Sequence, residues 1–234
     1  MDPEKLILEN GLTIKKGLDQ HFLSDKFVDK EIALAGLKKG DVVLEIGAGI
    51  GNLTEKIATR CHVIAVEKDK QFIPLLRKIK NAEVINDDAL SILSSLTFNK
   101  IISNIPYSIS QPLLLALLTK KWDVAVLVVQ KEFAEKMLSK SKLSVIVNDC
   151  CHFDVEEFIT AGEFYPPAVD SAIVRMVQKR IMDEKFWRFL SVVYTQKNRN
   201  VKNVIKSFPD ELAKKKVHQL EIKELKAIYE MNRK

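Results

Sequence analysis

The sequence predicts an α/β fold, with an open and mostly parallel sheet followed by a small α-helical domain. Three observations carry this reading. Short apolar runs end one after another in polar residues, the first of them opens onto a glycine-rich turn and a helical pattern, and the excess of positive over negative charge lies entirely beyond residue 178.

Residues 41–46 form the first apolar run, Gly47, Gly49 and Gly51 follow, and residues 52–58 carry a helical pattern. Strand, glycine turn and helix in that order are the opening of a Rossmann-like site. Glycine permits positive φ and close approach of a ligand, and the helix start offers free N–H groups. The spacing is G-x-G-x-G and lacks the third glycine of the dinucleotide fingerprint, which favours a nucleoside cofactor over a nicotinamide dinucleotide. A second strand, 63–66, ends at Glu67, whose carboxylate can take both hydroxyls of a ribose. A third, 82–86, ends at Asp87 and Asp88, one of which can accept from the amino group of an adenine.

The fourth run begins at Lys100 and ends in Ser103, Asn104, Ile105, Pro106 and Tyr107. An amide oxygen and a backbone carbonyl can accept two hydrogen bonds from an exocyclic amino group, Pro106 fixes its own φ and adds no competing donor, and Tyr107 can stack on a base. That is equipment for holding an adenine before a methyl donor. Taken singly, Glu45, Glu67 and Asp88 are ordinary carboxylates on a solvated rim, and residues 103–107 are a strand ending in an Asn-x-Pro turn. Taken in series, these polar ends fall on one edge of one sheet, where open α/β folds bind ligands.

At these residues the chain resembles the ribosomal RNA adenine dimethyltransferases of the KsgA type. The resemblance runs through five blocks in order, at residues 15–23, 44–54, 103–110, 130–134 and 164–172. It implies a Rossmann-like class I S-adenosylmethionine-dependent methyltransferase sheet with a small C-terminal α-helical domain. It also implies S-adenosylmethionine as cofactor and dimethylation of two adjacent adenosines near the 3′ end of small-subunit ribosomal RNA, as RNA or as a pre-assembled small ribosomal subunit. Carried over by position, His21, Leu23, Gly47, Glu67, Asp88 and Asn104 line the cofactor site. Asn104, Ile105 through its carbonyl, Pro106 and Tyr107 hold the target adenine, and Phe133 is a second aromatic against the base. A phenylalanine on an amphipathic helix is also ordinary core, and His21 with Phe22 also reads as a packed helix entry capped by Ser24 or Asp25.

The chain departs from the family pattern in two places. Asp19 stands where glycine is usual, which implies a tolerated backbone geometry or a different mouth to the cofactor pocket. A basic Arg-Arg-Lys run is replaced by the diluted segment 196–203. Three other readings stay open: a large-subunit RNA adenine methyltransferase of the antibiotic-resistance type, against which block 164–172 argues, a non-catalytic RNA-binding assembly factor, and a nicotinamide enzyme.

Composition agrees with a folded enzyme that binds nucleic acid. With 234 residues, 47% of them hydrophobic, the chain can bury a full core. Residues 1–178 hold 22 Lys or Arg against 24 Asp or Glu, and residues 179–234 hold 15 against 7. A near-neutral catalytic domain, 1–178, and a basic domain, 179–234, that contacts RNA phosphates are therefore expected. Arg188, Arg199, Lys202 and Lys206 are expected on one helical face, with Phe186, Leu190, Val193, Val201, Val204 and Phe208 turned inward. Cys61, Cys150 and Cys151 lack metal-ligand spacing, and neither a signal-peptide pattern nor a membrane-spanning run is visible. A cytoplasmic monomer with reduced thiols and no metal is the expectation.

Overall fold

A computed structural model of the chain describes residues 3–233. After α1 (Pro3–Glu9), β1 (Phe22–Leu23) and α2 (Asp25–Ala35), the chain alternates β2 (Val42–Ile46), α3 (Asn52–Ala58), β3 (His62–Val66), α4 (Ile73–Leu76), β4 (Ala82–Ile85), α5 (Ala89–Ile92), β5 (Lys100–Asn104), α6 (Ser110–Leu118) and β6 (Val124–Gln130). There follow α7 (Lys131–Leu138), α8 (Lys142–Cys150), β7 (Cys151–Ile159), β8 (Phe164–Tyr165), β9 (Ser171–Gln178), α9 (Glu184–Val193) and α10 (Ile222–Met231). The apolar runs read from the sequence as strands are strands, and the alternation with helices makes them parallel, because a crossover helix returns the chain to the same edge.

Seven strands form one sheet in the order β4-β3-β2-β5-β6-β9-β7. The first five are parallel, and β9 and β7 close the sheet antiparallel. Alternation along the strands divides the core in two. Leu44, Ile46, Ile101 and Leu127 face a large cluster that includes Leu113, Leu117 and Ile146, whereas Val43, Val63, Ile102 and Val126 face α2 and α3 through Val28, Ile32, Leu53 and Ile57. Both faces are covered, which is why the strands are rich in Val and Ile without polar alternation.

One feature is unread in the sequence, and one expectation from it does not hold. A separate two-stranded ribbon pairs β1 with β8, Phe22 opposite Tyr165 and Leu23 opposite Phe164, so the block at 164–172 is joined to the N-terminal segment that carries His21. The basic C-terminal face is not one helix. Arg188 lies on α9, which ends at Val193, Lys202 lies in a 3₁₀ turn at Val201–Asn203, and Arg199 and Lys206 lie outside any helix. Asn198, Asn200 and Asn203 break the helical run, because asparagine side chains compete for backbone hydrogen bonds. The inward set behaves as expected: Phe186, Leu190, Val193 and Val201 are buried in the large cluster, and Val204 and Phe208 pack against it.

Candidate active site

The C-terminal ends of the parallel strands open on a cavity of about 190 Å3. The glycine turn after β2 forms its floor. Gly47 has φ 74° and lies over Pro106, and a Cβ on Gly49, at φ 52°, would stand 2.7 Å from Phe22 Cε1, so side chains are excluded where the backbone turns. Glu67 fastens this turn, with Oε2 accepting from the Gly49 N–H at 2.8 Å and Oε1 from the Asp69 N–H at 2.6 Å. A carboxylate has lone pairs beyond these two, so both oxygens remain available to ligand hydroxyls. Burial raises the Glu67 carboxyl above its usual range against these backbone donors.

At the end of β4, Asp88 caps α5 by accepting from the Leu90 N–H at 2.9 Å and pairs with Lys68 at 2.9 Å. The Lys68 ammonium and the helix N–H hold its carboxyl below the usual range. Glu45, at the cavity wall, is 2% exposed and its Oε2 has no hydrogen-bond partner among the described residues. Burial pushes it to about 8, against the nearby Thr54 hydroxyl and with Glu67 adding to the rise.

A second, much smaller pocket abuts the first. Its walls are Asp19, His21, Asn104, Ile105, Tyr107, Val128 and Phe164, and Asp19, His21 and Asn104 also line the larger cavity. Asn104 therefore stands at the junction of the two spaces, and its buried Oδ1 has no partner among the described residues. The His21 and Tyr107 rings are near-parallel at 18° with centroids 6.3 Å apart. His21 Nδ1 lies 3.0 Å from the Pro166 carbonyl, which can only accept, so the proton is on Nδ1.

His21, Gly47, Glu67, Asp88, Asn104 and Pro106 thus come together around the large cavity, and Ile105 and Tyr107 around the small one. Two expected site residues do not join them. Leu23 is fully buried in the core, and its carbonyl accepts from Asn52 Nδ2 at 3.2 Å. Phe133 is half-buried on α7 against the large core cluster, as an amphipathic helix dictates, and lines neither pocket. Sequence reasoning named Asp19 only as a departure, and passed over Gln20, which accepts from the Lys15 N–H and donates to Asp69 at 2.8 Å. A polar residue just before the block's histidine was the one available signal for Gln20.

Parallel strands closed by an antiparallel pair, with a glycine-floored cavity and an asparagine at its inner end, define a class I methyltransferase. The resemblance to known proteins narrows the class. The chain belongs to the ribosomal RNA adenine dimethylase family, which matches residues 11–233. It is 35% identical to the "Probable ribosomal RNA small subunit methyltransferase A" of Methanosarcina acetivorans, over 95% of each chain. It is 36% identical to the protein of the same name from Thermococcus onnurineus, over 97% of this chain and 96% of the relative. Among solved structures it superposes on a dimethyladenosine transferase from Plasmodium falciparum with a TM-score of 0.81 and 28% identity, covering 91% of this chain and 98% of that one. The 23S rRNA methyltransferase ErmE shares the fold, with a TM-score of 0.69 and 23% identity, covering 91% of this chain and 100% of that one.

Proposed function

We propose that this enzyme transfers methyl groups from S-adenosylmethionine to the exocyclic amino nitrogens of two adjacent adenosines near the 3′ end of small-subunit ribosomal RNA. The observation that carries this is Asn104, whose buried Oδ1, unpartnered among the described residues, stands where the glycine-floored cavity meets a second pocket walled by an aromatic ring.

The residues present fit the cofactor. The large cavity offers Glu45, Glu67, Asp87 and Asp88 to a ligand, with Lys68 the one lysine or arginine in its lining, and Lys68 is paired with Asp88. An acceptor-rich lining suits a ligand that brings hydroxyls, amino groups and positive charge. Glu67 and Asp88 would hold the ribose and adenine, and the glycine turn would take the amino-acid part. The cofactor supplies an electrophilic methyl on a sulfonium.

The chain's own contribution is positioning. An adenine amino nitrogen is a poor nucleophile because its lone pair is delocalised into the ring. Hydrogen bonds from that amino group to Asn104 Oδ1 and to the Ile105 carbonyl favour the pyramidal form in which the lone pair is localised. The base must leave its stack to arrive there, and stacking on Tyr107, worth roughly 1–3 kcal/mol, offsets that cost. No covalent enzyme intermediate is required.

The basic segment 179–234, as a small RNA-contacting domain, would bind phosphates, and a monomer acting in the cytoplasm on RNA or a partly assembled subunit is consistent with this reading. No helix among the described residues is long and apolar enough to cross a membrane, and no group of metal-ligating side chains is found among them. The test is transfer of labelled methyl from S-adenosylmethionine to unmodified small ribosomal subunits, with large-subunit RNA as control. Dimethyladenosine on the small subunit alone supports the reading. Label on the large-subunit RNA sinks it in favour of a resistance-type enzyme, and cofactor binding without transfer to particles that a known active enzyme methylates would indicate an assembly factor.

A further inference from the structure

One wall of the large cavity belongs to no strand of the main sheet. Residues 17–22 line it in unbroken succession, and the ribbon of β1 with β8 anchors their C-terminal end. The N-terminal end is anchored at Asp69, two residues beyond Glu67. The Asp69 side chain is 1% exposed and accepts four hydrogen bonds. Its Oδ1 takes Lys15 Nζ at 2.8 Å and the Gln71 N–H at 3.2 Å, and its Oδ2 takes Gln20 Nε2 at 2.8 Å and Gln71 Nε2 at 2.6 Å. Two donors on each oxygen occupy the lone pairs of a carboxylate, and Asp69 does not line the cavity. Burial opposes its charge, but Lys15, Gln20 and Gln71 more than offset this and hold the carboxyl below its usual range.

Each partner of Asp69 leads to a part of the cofactor site. Gln20 lines the cavity beside His21, and its Oε1 accepts from the Lys15 N–H at 2.7 Å, so Lys15, Gln20 and Asp69 close a ring. Gln71 carries the tie further along the segment, donating to the Thr13 carbonyl at 2.8 Å and accepting from the Thr13 N–H at 3.0 Å. On the other side, the Asp69 N–H donates to Glu67 Oε1 at 2.6 Å, on the carboxylate that a ribose would meet. One buried group thus sets the N-terminal wall and Glu67 relative to each other.

We propose that Asp69 is a positioning residue for the cofactor, fixing the wall at residues 17–22 and the Glu67 carboxylate at the separation that the adenosyl group requires. A ligand held between two walls binds more tightly when they are ordered beforehand, because ordering them on binding subtracts from the affinity. The proposal rests on the S-adenosylmethionine reading above.

The experiment is calorimetric titration with S-adenosylhomocysteine, the demethylated form of the cofactor, so that no turnover enters the measurement. Asp69→Asn keeps the shape but turns an amide N–H group toward the donors of Lys15, Gln20 or Gln71, and Kd rises about tenfold to a hundredfold. Lys15→Met, at a half-exposed side chain outside the cavity lining, raises Kd about threefold, and it adds little to Asp69→Asn because both act on one network. In Asp69→Asn, hydrogen exchange quickens at residues 13–21 while β2, β3 and β5 keep parental protection. KM for S-adenosylmethionine rises, while kcat and KM for RNA hold. Parental Kd in Asp69→Asn overturns the proposal, and so does a loss of protection spread over the whole sheet. If Asp69→Asn does not fold, Lys15→Met decides, and a parental Kd there overturns the proposal. A parent that binds neither S-adenosylmethionine nor S-adenosylhomocysteine overturns the cofactor reading and the proposal with it, whereas binding that the variants leave unchanged overturns the proposal alone.

Discussion

Asp19 Oδ2 accepts a 2.9 Å hydrogen bond from the backbone N–H of Ser108, joining the N-terminal segment to the turn after Asn104 across 89 positions of sequence. Asp19 does this from the left-handed region, at φ 51°, where glycine is the usual occupant. The departure from the family's glycine is thus both a tolerated geometry and a change at the mouth, since Asp19 lines both pockets.

Asp19→Ala should destabilise the fold by about 1–2 kcal/mol, because alanine bears the left-handed penalty and cannot accept the bond. Asp19→Gly loses the bond but relieves the backbone, and stays within about 1 kcal/mol of the parent. Urea midpoints distinguish the two, and equal losses would mean that the hydrogen bond alone matters.

Asn104→Ala removes the unpartnered acceptor at the junction of the pockets. Turnover falls roughly 10²–10³-fold, as for loss of one transition-state hydrogen-bonding group, while cofactor affinity by calorimetry changes less. Full turnover in the variant would remove Asn104 from the chemistry.

Tyr107→Phe keeps the ring beside His21 and loses only the hydroxyl that donates to Ser171, so methylation stays within a few-fold of parent. Tyr107→Ala weakens RNA engagement about tenfold or more, with cofactor affinity unchanged, because Tyr107 lies outside the large cavity. Steady-state kinetics with RNA as the varied substrate reads the difference.

Stability should fall toward alkaline pH. Glu31, with 0% exposure, and Glu45 both leave carboxyl oxygens unpartnered among the described residues. Burial holds Glu31 well above the usual range, with Glu45 adding to it, and burial brings Glu45 to about 8. The folded chain then binds more protons than the unfolded one between the ordinary carboxyl range and about pH 8. The stabilisation is complete below that window and is lost as pH rises through it, by on the order of a few kcal/mol. Urea midpoints at pH 6 and pH 9 measure the fall, and Glu31→Gln, which cannot ionise, should shrink it. A flat profile in the parent would show that water or a cation reaches these carboxyls.

The sequence by itself determined the strands β2, β3, β4, β5 and β9, the glycine turn and the polar strand ends, because each follows from residues adjacent in the chain, whereas β6, β7 and the β1–β8 ribbon went unread. Period, turn chemistry and charge placement are local, and Glu67, Asp88 and Asn104 could be set on one edge without any coordinates. Only the tertiary structure decided what those residues meet. The His21 bond to Pro166 closes over 145 positions, and it exists because Phe22 and Leu23 pair with Tyr165 and Phe164 in a two-residue ribbon too short to leave a pattern. Packing likewise settled the apolar side chains: Phe133 and Leu23 carry apolar surface that the core takes up, while Phe158, equally apolar, lies on an edge strand with no layer beyond it. Hydrophobicity is a property of the residue, but burial depends on which elements the sheet order brings alongside it.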